Sequence, residues 1–315
     1  MRAGLAFLVA VVAALVMCAA PASAAPRPLP VVYDFTAGIG AELADPGGSL
    51  PGTNDYGCRP TRQHPRPVIL VHGTGGGQQT NWVTLGPVLK NAGYCVFAPT
   101  YGALSPVWPL SALGGLGPKA ESARQLATFV DRVMAATGAR QVDIVGHSQG
   151  TEIPTYWMKH LGGRGKVAHY VSLAPYWRQE RDSGDARGDA VALFRRALGI
   201  PVPPQPECPD CVPPPADFTF NQAVRQPTPY LPGVAYTNIV TRDDQIVTPY
   251  WTGILDGPPG TDVTNIVVQD GCAIDRSEHA SITSNRRSAA MVLGALDPAN
   301  APPVPCVPVA PYTGG

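Results

Sequence analysis

A nine-residue stretch in the middle of the chain has the composition of a turn that exposes a reactive serine. An apolar run over 142–145 leads into a Gly-x-Ser-x-Gly turn at 146–150, and a helix is predicted over 151–161. The two glycines lack a Cβ atom, so a strand and a helix can approach closely while Ser148 takes a strained backbone conformation. A serine hydroxyl presented in this way can attack a carbonyl carbon, which begins an acyl transfer.

A serine nucleophile needs a base to accept its proton, and the base needs a carboxylate to orient it. Where such a serine sits on a strand–turn–helix, the acid and then the histidine follow it along the chain. His279 lies on a polar loop after the last predicted strand, whereas His160 ends a helix and His169 begins a strand. We therefore expect His279 to be the base.

The candidate acids follow the predicted strand at 235–240. They are the neighbouring Asp243 and Asp244, and the aliphatic pair Ile246 and Val247 begins two residues after the second of them. This spacing favours Asp244 as the acid of the triad, with Asp243 as the alternative and otherwise a solvated turn residue.

A tetrahedral intermediate also needs preorganised N–H donors for its negative oxygen. We expect one from Gln149, directly after the nucleophile, and one from Thr74 in the glycine-rich loop at 73–77. That loop lacks a Gly-x-Gly-x-x-Gly or Gly-Lys-Ser/Thr arrangement, which argues against phosphate binding. His72 and His147 flank the two motifs, and we expect them to brace the loops by hydrogen bonds without a catalytic role.

The elements that must position these residues alternate between strands and helices. Strands are predicted at 67–73, 94–99, 142–147, 167–173, 235–240 and 264–268, and helices at 81–92, 118–137, 151–161 and 282–296. This alternation predicts an α/β fold, a mostly parallel central sheet with helices on both faces. We expect one catalytic domain over 25–315, with an extended N-terminal segment at 25–67 and a Pro-rich loop at 199–232.

Composition limits the partners that the chain can have. The 315 residues carry 23 basic and 23 acidic side chains, so no polyanionic partner is indicated and nucleic-acid binding is disfavoured. Cys208 and Cys211 could form half of a metal site, but no second Cys/His pair has zinc spacing. We expect no metal and no cofactor.

The first 24 residues have the pattern of a secretory signal peptide. Arg2 supplies the positive charge, 5–17 the apolar core and 22–24 a small-residue cleavage site, and the apolar run is short for a bilayer. Cys18 raises the alternative of a lipoprotein, but Met17 is large where lipid attachment requires a small residue. The sequence therefore predicts a secreted, extracellular protein.

Removal of that peptide leaves six cysteines, an even number that favours three disulfides in an exported chain. Six cysteines allow 15 pairings, so the sequence does not fix the connectivity. We expect the pairs Cys58–Cys95, Cys208–Cys211 and Cys272–Cys306, the second as a local clip.

Aromatic and aliphatic residues on three loops are candidates for the substrate wall. The loop at 101–117 is apolar but rich in Gly and Pro, which is typical either of a packed core loop or of a wall for an acyl chain. Such loops at the carboxyl edge of the sheet favour an apolar acyl or aromatic ester over a sugar or a peptide. The predicted substrate-binding residues are Tyr101, Trp108, Trp177, Ile246, Val247 and Trp251.

Four motifs occur in one order: His-Gly-Thr-Gly-Gly from His72, Gly-His-Ser-Gln-Gly around Ser148, Asp-Gln-Ile-Val from Asp244, and Glu-His at His279. Together they resemble the secreted bacterial class 2 lipases of the α/β-hydrolase superfamily over residues 60–290. The resemblance implies the α/β-hydrolase fold and a carboxylic-ester hydrolase, a triacylglycerol lipase or esterase. We expect a monomer that acts on an ester or lipid substrate, with transient contact to a lipid interface.

Other functions fit the same residues. A cutinase-like polyester hydrolase would share all of them, and an acyltransferase of the cell envelope would prefer an alcohol acceptor to water. A non-enzymatic binding protein on this fold is disfavoured, because no position of the triad is lost. The Pro-rich insert at 208–215 departs from the minimal lipase pattern, so the resemblance does not predict the lid or the shape of the pocket.

Overall fold

The computed structural model describes residues 27–178 and 216–315. Six strands form one sheet in the order β2-β1-β3-β4-β5-β6, and every neighbouring pair is parallel. The strands are β1 (Val68–Val71), β2 (Val96–Phe97), β3 (Val142–His147), β4 (Val167–Leu173), β5 (Ala235–Val240) and β6 (Asp262–Val267). The prediction of a parallel central sheet is confirmed.

Helices cover both faces of the sheet. They are α1 (Ala37–Ala44), α2 (Leu85–Asn91), α3 (Lys119–Thr137), α4 (Glu152–His160), α5 (Ala216–Arg225) and α6 (Arg286–Leu296). Apolar side chains of α3, α4 and α5 share one core cluster with the sheet, and those of α2 and α6 share the other. All four side chains of β1 are buried, as expected for a strand covered on both faces.

Helix α3, the longest helix within the described residues, illustrates how the sequence specifies an element. Leu126, Val130 and Val133 of α3 are spaced by four and three residues, and all three are fully buried. Gly138 then takes a left-handed conformation with φ of 71°, which ends the helix without the steric cost that a Cβ would add. The predicted helix at 118–137 therefore matches to within one residue.

Two segments that the sequence predicts to lack regular structure each contain a helix. The N-terminal segment is not extended throughout, because 37–44 contains no proline and forms α1, in which Glu42 is buried and accepts a hydrogen bond from Gln79. The Pro-rich loop at 199–232 likewise contains α5. The ten residues of α5 contain no proline, and Phe220 and Val224 lie one turn apart on the buried side of the helix.

Two of the expected disulfides are present, Cys58–Cys95 and Cys272–Cys306. The third pair, Cys208–Cys211, and the predicted signal peptide at 1–24 lie outside the described residues. Within 27–178 and 216–315, no helix combines the length and the apolar character that crossing a bilayer requires.

Candidate active site

The candidate nucleophile lies directly after β3, at the carboxyl edge of the sheet. Ser148 has φ of 52°, a left-handed conformation that is uncommon for a residue other than glycine. A Cβ atom on Gly150 would come 1.9 Å from the carbonyl oxygen of Val71, and one on Gly146 would come 2.4 Å from the carbonyl oxygen of Gly150. Both glycines of the motif are therefore required by the close approach of strand and helix.

The candidate acid and base lie on the loops that follow β5 and β6. Nδ1 of His279 is 2.9 Å from Oδ2 and 3.0 Å from Oδ1 of Asp244, and both side chains are buried. A carboxylate only accepts, so Nδ1 carries a proton, and Nε2 is the nitrogen that can act as a base when the ring is neutral. Backbone N–H groups of Ile246 and Val247 donate to the same carboxylate at 2.9 and 2.8 Å, which fixes its orientation.

The alternative acid has a different partner. Asp243 forms an ion pair of 2.9 Å with Arg276 and does not contact His279 in the described part of the chain. Of the two neighbouring aspartates, the structure thus brings Asp244 to the histidine.

The acid and base loops are joined by buried polar side chains that sequence reasoning missed. Thr241 donates from Oγ1 to the carbonyl oxygen of Ser277 at 2.5 Å and accepts from Nε2 of Gln269 at 2.8 Å. Gln269 also accepts from the backbone of Arg242 at 2.9 Å. A threonine and a glutamine at strand ends carry no motif, so only their contacts in the fold identify them.

The loops that carry the candidate oxyanion donors lie close to the nucleophile. A Cβ atom on Gly73 would lie 3.1 Å from Cβ of Ser148, and one on Gly115 would lie 2.7 Å from Oε1 of Gln149 and 3.2 Å from Cα of Thr74. Gln149 is in the first turn of a short 3-10 helix. The N–H groups of a first turn have no acceptor within their own helix. The N–H of Thr74 likewise has no acceptor among the described residues.

His72 and Tyr101 hold the glycine-rich loop in place by hydrogen bonds. Nδ1 of His72 donates to the carbonyl oxygen of Gly73 at 2.8 Å, and Nε2 accepts from the backbone N–H of Tyr101 at 3.1 Å. The two rings stack at 4.0 Å, and the Tyr101 hydroxyl donates to the carbonyl oxygen of His72. Burial lowers the pKa of His72 to about 4, so the ring is neutral near pH 7.

The predicted substrate wall divides into two groups. Trp108 and Trp251 expose 43% and 41% of their surface, and Ile246 is half-buried, so all three could touch a ligand. The side chains of the other three are packed inside the fold: Tyr101, Trp177 and Val247. The buried ring of Trp177 donates from Nε1 to Asn238 of β5 at 2.8 Å.

Comparison with known proteins agrees with this fold. Residues 65–174 match the family model of the class 2 lipases, a segment that includes the glycine-rich loop and Ser148. Lipase 3 of Drosophila melanogaster is 28% identical over 153 residues, which are 43% of this chain and 37% of the fly protein. The crystal structure of Aspergillus fumigatus lipase B has a TM-score of 0.55 and 17% identity, covering 82% of this chain and 57% of the fungal one.

The chain thus spans little more than a third of the fly relative and just over half of the fungal structure. At 17% identity, the structural match shows the fold alone. Asp244 and His279 lie beyond the segment that the family model covers. The chain has the α/β-hydrolase fold, and its residues 65–174 carry the sequence pattern of the class 2 lipase family.

Proposed function

We propose that this chain is a secreted carboxylic-ester hydrolase, a lipase that cleaves acylglycerol esters through Ser148, Asp244 and His279. One observation carries the proposal. A histidine whose Nδ1 is bound by a buried carboxylate lies at the same sheet edge as a serine in a strained turn. This combination supplies an orientated base at the same sheet edge as the nucleophile, which is what a two-step acyl transfer requires.

The reaction follows from these roles. Neutral His279 accepts the Ser148 proton at Nε2 while the serine oxygen bonds to the ester carbonyl carbon, and the carbonyl electrons move onto its oxygen. The tetrahedral intermediate collapses, and His279 returns the proton to the departing alcohol. Water then attacks the acyl-serine in the same way, which releases the acid and regenerates the serine.

The backbone N–H groups of Thr74 and Gln149 are the proposed oxyanion donors. Their loops are held in place before substrate arrives, because Gly75 donates to the carbonyl oxygen of Gly114 at 2.8 Å and Gly114 donates to that of Gly76 at 2.8 Å. Donors that need no reorganisation stabilise a developing charge most effectively. The carboxylate of Asp244, which contacts Nδ1, stabilises the imidazolium of His279.

The loop before α3 supports a transient contact with a lipid surface by a monomer. Four large apolar side chains on it are exposed: Leu104, Val107, Trp108 and Leu110. No charged residue occurs between Lys90 and Lys119. An exposed apolar patch without charge is suited to a neutral ester phase. Secretion is supported by the signal-like N-terminus and by the two disulfides, which persist in oxidising compartments.

Ser148→Ala and a panel of p-nitrophenyl esters test the proposal. The variant should fold and lose turnover by several orders of magnitude, as expected when a triad nucleophile is removed. Rates should increase with acyl length and rise further on emulsified triglyceride. Wild-type turnover in Ser148→Ala would show that the nucleophile is assigned wrongly.

The same assays distinguish the neighbouring functions. Release of soluble monomers from a polyester film, without activity on triglyceride, would favour a polyester hydrolase. A product ratio dominated by transfer to an added alcohol would favour an acyltransferase. Trp108→Ser tests the lipid contact, because it should lower the rate on the emulsion while leaving hydrolysis of short soluble esters unchanged.

A further inference from the structure

His147 is a buried histidine that lies between the candidate nucleophile and the candidate base without being either. Its Nε2 is 2.8 Å from the carbonyl oxygen of His279, and its Nδ1 is 3.1 Å from Oδ1 of Asn81. A carbonyl oxygen only accepts hydrogen bonds, so Nε2 carries a proton and donates it to this bond. The residue before the serine therefore binds the main chain of the histidine that is 132 positions later in the sequence.

Asn81 and the oxyanion loop lie against the ring of His147. Its buried side chain accepts from the backbone N–H of Gly73 at 3.3 Å. A Cβ atom on Gly73 would lie 3.1 Å from Nδ1 of His147. Gly73 precedes Thr74, the proposed oxyanion donor. With its proton on Nε2, His147 has an acceptor at Nδ1 that faces another acceptor, Oδ1 of Asn81, so Asn81 packs against the ring without a hydrogen bond. The hydrogen bond of His147 therefore goes to the main chain of His279, and the oxyanion loop packs against the same ring.

The chemistry of His147 suits a group that holds a base without competing with it. Burial, and after it the neighbouring charge of His279, lower the pKa of His147 to about 3. The two ring centroids are 4.9 Å apart. A cationic ring at that distance would oppose the imidazolium that His279 becomes during the reaction, whereas a neutral ring does not.

We propose that His147 is a positioning residue that holds His279 at its working distance from Ser148. This inference rests on the proposed acyl-transfer function. Asp244 fixes the direction of the His279 ring, and His147 fixes the main chain that carries it. A base on a loop needs both restraints, because a displacement of about 1 Å costs on the order of 100-fold in rate.

Two substitutions of His147 test the role. His147→Phe keeps a buried ring but cannot donate, and we expect kcat to fall about 100-fold with little change in KM, since only the transition-state geometry suffers. His147→Gln can place an amide N–H near the position of Nε2 and should recover most of that loss. A merely structural role would not produce this split between kcat and KM, nor the rescue.

His64→Phe is the matched control. His64 is also buried and packs against Tyr94, with ring centroids 3.9 Å apart, but it lies near the amino-terminal end of β2, away from the candidate site. His64→Phe should lower the melting temperature about as much as His147→Phe does and leave kcat unchanged. Equal losses of kcat in His64→Phe and His147→Phe would overturn the inference.

Ser148→Ala, measured in parallel, separates this inference from the function on which it rests. If Ser148→Ala is inactive while folded His147→Phe keeps the wild-type kcat, the positioning role is wrong and the proposed function stands. If Ser148→Ala stays active, the proposed function is wrong and the inference falls with it. Should His147→Phe not fold, His147→Leu takes its place, since leucine also cannot donate, and a wild-type kcat in that variant would overturn the positioning role.

Discussion

The two halves of the candidate site are held by different means. The nucleophile region, from β1 to α4, is set by main-chain contacts so close that only glycine fits, as at Gly146 and Gly150. The loops after β5 and β6 are set by side chains, including the Thr241–Ser277 contact and the Cys272–Cys306 disulfide. A side chain added at one of these glycines would collide with the main chain, so a single substitution disrupts the whole turn. Side-chain contacts, in contrast, can be removed one at a time. We therefore expect abrupt failures in the first region and graded ones in the second.

The acid of the triad is the exception in the second region, and it carries the largest expected effect. Asp244→Asn keeps the shape of the side chain but no longer favours the His279 tautomer with its proton on Nδ1. We expect kcat to fall by about 10⁴-fold, the loss found when a triad aspartate becomes asparagine. Steady-state hydrolysis of a short p-nitrophenyl ester measures it.

Asp243→Asn is the matched control one residue away. Asp243 pairs with Arg276, whose side chain is 65% exposed, so the change removes a surface ion pair of small value. Its kcat should stay within a few-fold of wild type. Comparable losses in the two variants would mean that the acid is assigned wrongly.

The first region also contains two buried neutral histidines, which make the fold sensitive to acid. The pKa of His72 is lowered from 6.5 to about 4 and that of His147 to about 3, so the unfolded chain binds these protons more readily than the folded one. Their contribution to stability is complete above about pH 6.5 and is lost as the pH falls towards about 4. Each histidine should cost about 1.4 kcal/mol per pH unit in that window.

Urea unfolding at pH 7, 6 and 5 measures this dependence. His72→Gln removes one of the two protons, so about half of the slope should disappear between pH 6 and 5. The full wild-type slope in that variant would show that His72 is not held neutral by the fold. The comparison of slopes does not depend on the stability that the substitution itself costs.

The next effect concerns the nucleophile turn. A Cβ on Gly150 would lie 1.9 Å from a backbone oxygen, which cannot move without displacing β1. We expect Gly150→Ala to lower the free energy of unfolding by about 3 kcal/mol or more and to abolish turnover with it. Gly40→Ala is the control, because nothing lies within 4 Å of a Cβ built at Gly40 in α1. That variant should be as active as wild type.

The sequence predicts the first region better than the second for the same physical reason. Where a close main-chain contact allows only glycine, the sequence has a fixed motif, and a strand buried on both faces has an unbroken apolar run. Ser148, Gly146 and β3 can therefore be predicted from spacing alone. Asp244 and His279 are predictable only as the acid and base that must follow. Thr241, Gln269 and Asn81 leave no pattern, because their partners are distant in the chain.

Composition does not show whether an aromatic residue of the predicted substrate wall is exposed or buried. Trp108 and Trp177 both follow strand ends, yet the first is exposed and the second is buried against Asn238. Asn238 lies within β5, where the sequence gives no reason to expect a polar partner. Burial of an indole with its N–H satisfied therefore depends on a neighbour that only the fold supplies.

Thr241→Val tests the graded behaviour of the second region and has the smallest expected effect. Valine keeps the volume and removes the hydroxyl, which leaves the carbonyl oxygen of Ser277 and Nε2 of Gln269 without that partner. A buried group left unsatisfied costs about 1–3 kcal/mol. We expect that loss in the free energy of unfolding by urea, with kcat reduced only a few-fold, because Asp244 still holds His279 directly.

Thr261→Val is the control, since the Thr261 hydroxyl donates to Pro258 at the exposed surface, where water can replace it. Its stability should stay within about 0.5 kcal/mol of wild type. A complete loss of turnover in folded Thr241→Val would mean that the second region fails as abruptly as the first. The contrast between a region held by main-chain contact and one held by side chains would then be wrong, because one buried hydroxyl would be as indispensable as a glycine of the nucleophile turn.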